Sequence, residues 1–352
     1  MYKNQIYQKS LKNLNTFSID VTAKKVIFIK TIKSLIEICK KCYYSHIPYI
    51  ILGEGSNVLF LENYKGIVII NRIKGIQVKE KKNSWLLHVF SGEKWHDLVK
   101  YTLRMGFFGL ENLALIPGCL GSAAIQNIGA YGLELKNICQ YVDIISLKNS
   151  KIIRIEKNLC KFSYRNSLFK YKYTKGYAVI AVGIQILKNW NPIIFHSLLK
   201  NININKINPY TIYNSICRIR KKKLPNINKL GNAGSFFKNP IISKKHLKKH
   251  LSLYFNIPHY FQIDGSIKIS AAWLIEKCNF NKIQIGDAAI YKKQKLVLIN
   301  RKIAKPKEIL ILAKIIQKSI LKKFKILLEP EIDFINSSGK VKLLKNISLK
   351  SL

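Results

Sequence analysis

Between Gly109 and Gly132 the chain carries five glycines and four alanines, with Glu111 as the only charged residue. The run reads Gly109-Leu110-Glu111-Asn112-Leu113-Ala114-Leu115-Ile116-Pro117-Gly118-Cys119-Leu120-Gly121-Ser122, then Ala123-Ala124-Ile125-Gln126-Asn127-Ile128-Gly129-Ala130-Tyr131-Gly132. Glycine reaches positive φ and lets the backbone come close to a neighbour or a ligand. Successive N–H groups in such a stretch can form a nest for an anion such as a pyrophosphate. An ordinary turn is the alternative, but turns seldom need so long an uncharged segment. The run is therefore expected to be a long loop with a binding role.

The 352 residues allow two or three domains, and an apolar fraction of 48% permits sizeable cores. Charge is the outlying property: 61 basic against 18 acidic residues give +43. Such a balance first suggests nucleic acid. Only seven of the basic residues are arginine, however: Arg72, Arg104, Arg154, Arg165, Arg218, Arg220 and Arg301. Lysine, isoleucine and asparagine abound everywhere, as in Asn201-Ile202-Asn203-Ile204-Asn205. All three have A/T-rich codons, and the lysines are spread rather than clustered, so genome bias accounts for the excess. No nucleic-acid partner is expected, although a polyanionic small substrate would be steered toward so basic a protein.

Seven scattered cysteines point to a reducing compartment. Cys39 and Cys42 have C-x2-C spacing but no second pair to complete a metal site, and they fall in a helical pattern as buried thiols. No metal is expected. The N-terminus lacks the apolar core and small-residue site of a signal peptide. No window approaches the uninterrupted apolar length of a membrane span. A cytoplasmic protein without membrane insertion is expected.

Periodicity predicts strands at 26–30, 49–52, 67–70, 85–90, 141–147, 177–187 and 296–300. It predicts helices at 31–45, 94–105, 210–220, 244–253, 270–278 and 306–323, the last with Pro306 suitably near its start. The turn Gly53-Glu54-Gly55-Ser56-Asn57 follows a β-α-β start but is no dinucleotide fingerprint: G-x-G-x-x-G needs glycine where Val58 stands. It still reads as an anion or ribose cradle. A basic turn, Lys221-Lys222-Lys223-Leu224-Pro225, marks an expected domain junction, and a second glycine loop runs from Gly231 to Pro240. The tail after Ser337 is expected to be loosely held.

Six segments in order carry a resemblance: Asn15-Thr16-Phe17, Leu52–Asn57, Ile116–Gly132, Phe162-Ser163-Tyr164-Arg165, Gly231–Pro240 and Leu328–Ile332. The chain resembles the UDP-N-acetylenolpyruvoylglucosamine reductase (MurB) family over roughly 15–335. The resemblance implies an α+β fold with an FAD-binding half of the vanillyl-alcohol-oxidase (PCMH) type, in two subdomains, plus a smaller α+β substrate-binding domain. The implied boundaries are 1–75 with 324–352, then 76–220, then 221–323. It also implies non-covalent FAD, NADPH as hydride donor, a UDP-sugar substrate and a monomer working in peptidoglycan and cell-wall synthesis, hence in cell shape and division.

The family's reaction delivers a hydride to the vinyl carbon of an enolpyruvyl ether, with a proton to the adjacent carbon. Charge then builds on the substrate carboxylate and needs fixed donors, and the adjacent carbon needs an acid. Residue by residue, the resemblance gives Arg165 as the guanidinium fork on the carboxylate and Ser235 as the proton donor. Glu331 orients and polarises the carboxylate. Glu329 would face the same side of a strand, and only the motif selects Glu331. Two carboxylates close together are costly unless one is protonated or cations intervene. FAD contacts are expected from Gly53, Glu54, Gly55, Ser56, Asn57, Pro117, Gly118, Gly121, Ser122, Asn127, Gly129, Ala130 and Tyr131. Substrate contacts are expected from Tyr164, Lys223, Asn239 and Gln294.

Three positions depart from the family pattern. Phe195-His196-Ser197 stands where relatives of this subtype have a mobile tyrosine, Asp287 replaces a glycine after Gly286, and Ala123 replaces a frequent hydroxyl residue. They are expected to affect closure over the substrate, a turn and one phosphate contact. A flavin oxidase of the same fold is the alternative enzyme, against which the Ser235 loop and the Glu331 strand speak.

Overall fold

The computed structural model describes residues 10–174, 176–194, 207–252, 254, 256–280 and 283–343. The chain divides into two compact units. One contains residues 24–55 and 66–222; the other contains 10–23, 56–65 and the chain from Lys223 onward.

The first unit is built on two sheets. A parallel pair sets Tyr49–Leu52 beside Tyr64–Asn71, with Tyr49 opposite Ile67, and Ala23–Ile29 flanks the longer strand. Helix α1 (Ile32–Tyr44) lies between the first two strands in sequence. Thr31 caps it by accepting from the Ser34 N–H, and Leu35, Cys39 and Cys42 form its buried stripe at helical spacing. The second sheet is antiparallel and five-stranded, in the order Ile152–Glu156, Cys139–Ser146, Tyr177–Leu187, Ser84–Phe90, Ile76–Glu80. Helix α2 (Trp95–Arg104) buries Trp95 completely, and the indole N–H donates to the Leu113 carbonyl at 2.9 Å. That bond ties the helix to the start of the glycine-rich run and satisfies the one polar atom of a large apolar ring.

The glycine-rich run departs from its expected form. It contains helix α3 (Leu120–Gln126) and is followed by the one-turn helix α4 (Leu135–Ile138). Gly121 and Ser122 are weak helix formers. Burial of Leu120, Ala123 and Ala124 in the unit's core outweighs that preference. Asn127 ends α3 in the left-handed conformation, at φ 44°. Helix α5 (Pro209–Lys223) also runs further than expected: Lys221, Lys222 and Lys223 are its last turn rather than a separate basic turn. Cations at a helix C-terminus oppose the negative end of its dipole.

The second unit combines three small sheets with α6 (Lys244–Leu251), α7 (Ala271–Lys277) and α8 (Pro306–Phe324). Asp333–Ile335 pairs in parallel with Val58–Phe60 and antiparallel with Lys340–Val341. The segment after Ser337 is thus a paired strand at 340–341, against expectation; 344–352 lie outside the described residues. Helix α8 buries Ile309, Leu312, Ala313, Ile316 and Ile320 along one face. On the same helix the fully buried Gln317 donates to the Leu328 carbonyl at 2.6 Å and so fixes the chain just before Glu331.

All seven cysteines are free thiols. Burial, and then Cys42, push Cys39 up to about 12, which suits a packing role rather than reactivity.

Candidate active site

In the first unit the two glycine segments read as cradles meet each other. A β-carbon on Gly53 would lie 3.0 Å from both Cβ and Sγ of Cys119, tighter than an ordinary contact, so glycine admits the approach without displacing Cys119. Glu54 ties the segments together: one carboxylate oxygen accepts from the Gly118 N–H at 3.1 Å, and the other meets Lys94 Nζ at 2.9 Å. Arg72 donates to the Gly53 carbonyl at 2.7 Å. The N–H groups of Leu120 and Gly121 are bonded to Glu93 and Ser91 carbonyls, both at 2.9 Å. The 118–121 stretch is therefore a rigid floor more than an open row of donors. Pro117 and Ser122 are exposed above it, and Ser122 Oγ donates to the Cys119 carbonyl at 2.7 Å.

Asn127 is fully buried and spends its amide inside the protein. It donates to the Ser163 carbonyl at 2.9 Å and to Glu134 at 3.1 Å, and accepts from the Lys136 N–H at 3.0 Å. Its position therefore controls where the tight Ser163–Asn166 turn sits. That turn carries Tyr164 and Arg165, the latter at φ 52°. Arg165 donates to the Gly129 carbonyl at 3.0 Å and lies over the Tyr164 ring at 5.3 Å. Thus Arg165, Tyr164, Gly129, Ala130 and Tyr131 come from adjoining segments of one unit. The Tyr131 carbonyl accepts from Asn112 at 2.7 Å.

Sequence reasoning missed Arg220. Its guanidinium pairs with the Tyr131 hydroxyl and donates to the Leu115 carbonyl at 3.2 Å, while its buried Nε has no partner. The available signal was the scarcity of arginine in so lysine-rich a chain. An orphaned buried donor beside Tyr131 and Leu115 fits a polar, anionic cofactor.

In the second unit, Gly231–Pro240 is an extended segment held on both sides. Phe236 N–H donates to Leu296 O at 2.8 Å, Lys238 N–H to Glu329 O at 2.9 Å, and Glu331 N–H to Phe236 O at 2.8 Å. The last bond brings the backbone of Glu331 to the residue following Ser235. Phe236 and Phe237 are buried anchors; Ser235 and Glu331 are half-buried. Gly234 supplies the required left-handed kink at φ 70°, and Asn232 Oδ1 accepts its N–H at 3.0 Å. Asn57 donates to the Glu331 carbonyl at 3.3 Å, so Ser56-Asn57 adjoins the same strand. Glu329 is exposed and ion-paired with Lys238 at 3.2 Å.

Among the expected substrate residues, Asn239 accepts from the Ala271 N–H at 2.9 Å at the start of α7. Gln294 sits in the turn before Leu298–Asn300, and Lys223 is exposed at the end of α5. Asp287 does not break its turn: Gly286 takes the left-handed φ of 55°, and Asp287 accepts from the Ile303 N–H at 3.2 Å. Ala123 is buried in the core. Phe195-His196-Ser197 lies outside the described residues. Among the described residues no group of three or more His, Cys, Asp or Glu is placed to hold a metal. No described helix is long and apolar enough to cross a membrane.

Residues 225–335 match the family of UDP-N-acetylenolpyruvoylglucosamine reductase C-terminal domains, and residues 23–156 match an FAD binding domain family. The chain is 74% identical to the UDP-N-acetylenolpyruvoylglucosamine reductase of Buchnera aphidicola subsp. Schizaphis graminum, over 98% of this chain and all of that one. It is 46% identical to the reductase of Escherichia coli K12, over 96% and 99% of the two chains. Its fold matches the crystal structure of the reductase (MurB) from Thermus caldophilus with a TM-score of 0.66 at 22% identity, covering 94% and 98% of the chains.

Proposed function

Because the chain belongs to the UDP-N-acetylenolpyruvoylglucosamine reductase family, an oxidoreductase family of peptidoglycan synthesis with an FAD-binding domain, we propose that it reduces the enolpyruvyl ether of UDP-N-acetylglucosamine to UDP-N-acetylmuramate at the expense of NADPH. FAD, bound non-covalently, supplies the hydride chemistry. Gly53–Asn57, Gly118–Ser122 and the Asn127–Tyr131 segment would hold it. The three-part division into 1–75 with 324–352, 76–220 and 221–323 belongs to the same reading, as do a monomeric state and a cytoplasmic location.

The chain's own groups do the rest. Arg165 grips the substrate carboxylate with two N–H donors and stabilises the charge that develops there. Glu331 orients that carboxylate and polarises it. Ser235 Oγ gives a proton to the carbon adjacent to the hydride acceptor, which completes addition of one hydride and one proton across the double bond. Lys223 and Asn239 take the diphosphate, Gln294 the uridine side, and Tyr164 the nicotinamide or sugar.

The observation that carries the reading is the backbone pairing of the Ser235 segment with the Glu331 strand in the second unit. This is supported by Gly234, whose left-handed φ sets the chain immediately before Ser235. Purified protein should be yellow and should oxidise NADPH only when the enolpyruvyl substrate is present. Colourless protein that takes up no added FAD overturns the proposal; oxygen-driven turnover without NADPH places the chain with flavin oxidases instead.

A further inference from the structure

We propose that Arg220 is the fixed cation that balances the negative charge taken up by the flavin ring on reduction, with Tyr131 holding its guanidinium in place. The proposal rests on the FAD reading above. Helix α5 ends in lysines, yet this position has one of only seven arginines in the chain. The planar fork binds in fixed directions, as an ammonium group does not.

Its surroundings are built and incomplete. Nη2 donates to the Leu115 carbonyl at 3.2 Å, the guanidinium pairs with the Tyr131 hydroxyl, and the buried Nε has no partner. No carboxylate pairs with it among the described residues. Arg154 in the same unit is the opposite case: two bonds of 2.8 and 2.7 Å tie it to the buried carboxylate of Asp143. Arg220 is half-buried, and a cation drawn partly out of water without a counter-charge is costly; desolvation depresses its pKa accordingly. Such a site is complete when an anion arrives.

The guanidinium is also pre-positioned. Leu115 is held at φ 58° from both ends, its N–H donating to His96 Nδ1 at 3.1 Å and its carbonyl accepting from Arg220. The His96 ring lies parallel to that of Tyr213, with centroids 6.1 Å apart. Tyr213 and Arg220 are seven residues apart on α5, so one helix face locks the loop and carries the charge. Charge fixed near the ring is a means by which a protein sets the electronics of a flavin.

A phosphate of the cofactor is the other anion that could complete the site, and binding and potential measurements distinguish the two. Midpoint potentials and FAD affinities would be measured for the holo wild type, Arg220→Gln and Arg220→Lys. The proposal predicts that Arg220→Gln weakens binding of reduced relative to oxidised FAD at least tenfold. For a two-electron couple this lowers the midpoint by about 30 mV. Arg220→Lys should fall between. An unchanged midpoint with FAD still bound overturns the proposal; equal weakening of both redox forms makes Arg220 a phosphate ligand and overturns it too.

If Arg220→Gln does not fold, the wild type alone decides. A reduced ring kept anionic takes up one proton per two electrons, so its midpoint shifts by about 30 mV per pH unit between pH 5 and 6, where a reduced flavin free in water takes up two. About twice that slope contradicts the proposal. Wild type that binds no FAD sinks the underlying reading instead.

Discussion

The two glycine-rich segments are held in different ways. In the first unit, 117–127 folds into a packed floor: the N–H groups of Gly118, Leu120 and Gly121 are spent on Glu54, Glu93 and Ser91, and Gly121 admits a neighbour that a side chain would strike. In the second unit, 231–240 stays extended, stitched to Leu296 on one side and to Glu329–Glu331 on the other. A β-carbon on Gly234 would meet nothing within 4 Å, and that glycine is there for its φ of 70°. Gly121 serves the first segment through space and Gly234 serves the second through direction, while Gly231, whose added β-carbon would lie 2.2 Å from the Phe17 carbonyl oxygen, needs space as well. A floor suits holding a cofactor; a directed strand suits aiming one hydroxyl.

Arg165 sharpens the contrast, because the group proposed to hold the substrate carboxylate lies in the first unit. Arg165→Met should cut kcat/KM for the enolpyruvyl substrate about 10²–10³-fold, as for loss of one donor to a developing anion. Rapid mixing with NADPH alone should still reduce the flavin at the normal rate; an equal loss there would make the arginine structural.

Gly121→Val probes space. A β-carbon there would sit 2.8 Å from Ser91 Cβ, so the floor must move. Overpacking of this kind costs about 1–3 kcal/mol, read as a lower melting temperature and weaker FAD retention. Gly234→Ala probes direction. Left-handed φ costs about 1–2 kcal/mol for alanine, and substrate reduction should fall while FAD binding holds. If Gly234→Ala lost FAD and Gly121→Val lost only turnover, the comparison would be inverted.

The smallest effect is electrostatic. Burial, and then Lys100, depress the His96 pKa below 6.5, so Nδ1 remains an acceptor for Leu115 near neutrality. The unfolded chain takes a proton at this histidine where the folded chain does not. Stability from this group is therefore intact above about pH 6.5 and declines as pH falls below it. His96→Gln should flatten that acid limb in melting experiments; an unchanged limb would show that other groups set it.

Much of this was legible in the sequence. Tyr177–Leu187, α1 and α8 were anticipated within about a residue, because apolar spacing and an early proline act locally. Helix α3 was not, since Gly121 and Ser122 argue against helix and only tertiary burial of Leu120, Ala123 and Ala124 decides for it. Short strands such as Val58–Phe60 and Lys340–Val341 also escaped, being defined by partners far away in the chain. The motifs singled out Ser235 and Glu331 as candidates, but no local pattern foretold that a hydrogen bond from Glu331 would reach Phe236. Arg220 was visible only as a rare residue type, because its significance lies in what surrounds it.

The most direct test separates the two half-reactions in Ser235→Ala. With FAD bound, NADPH should bleach the flavin at the wild-type rate. Re-oxidation by the enolpyruvyl substrate should then slow by about 10²–10⁴-fold, as expected on removing a positioned acid. Equal slowing of both steps, or unchanged re-oxidation, would contradict the assignment of this hydroxyl as the proton source.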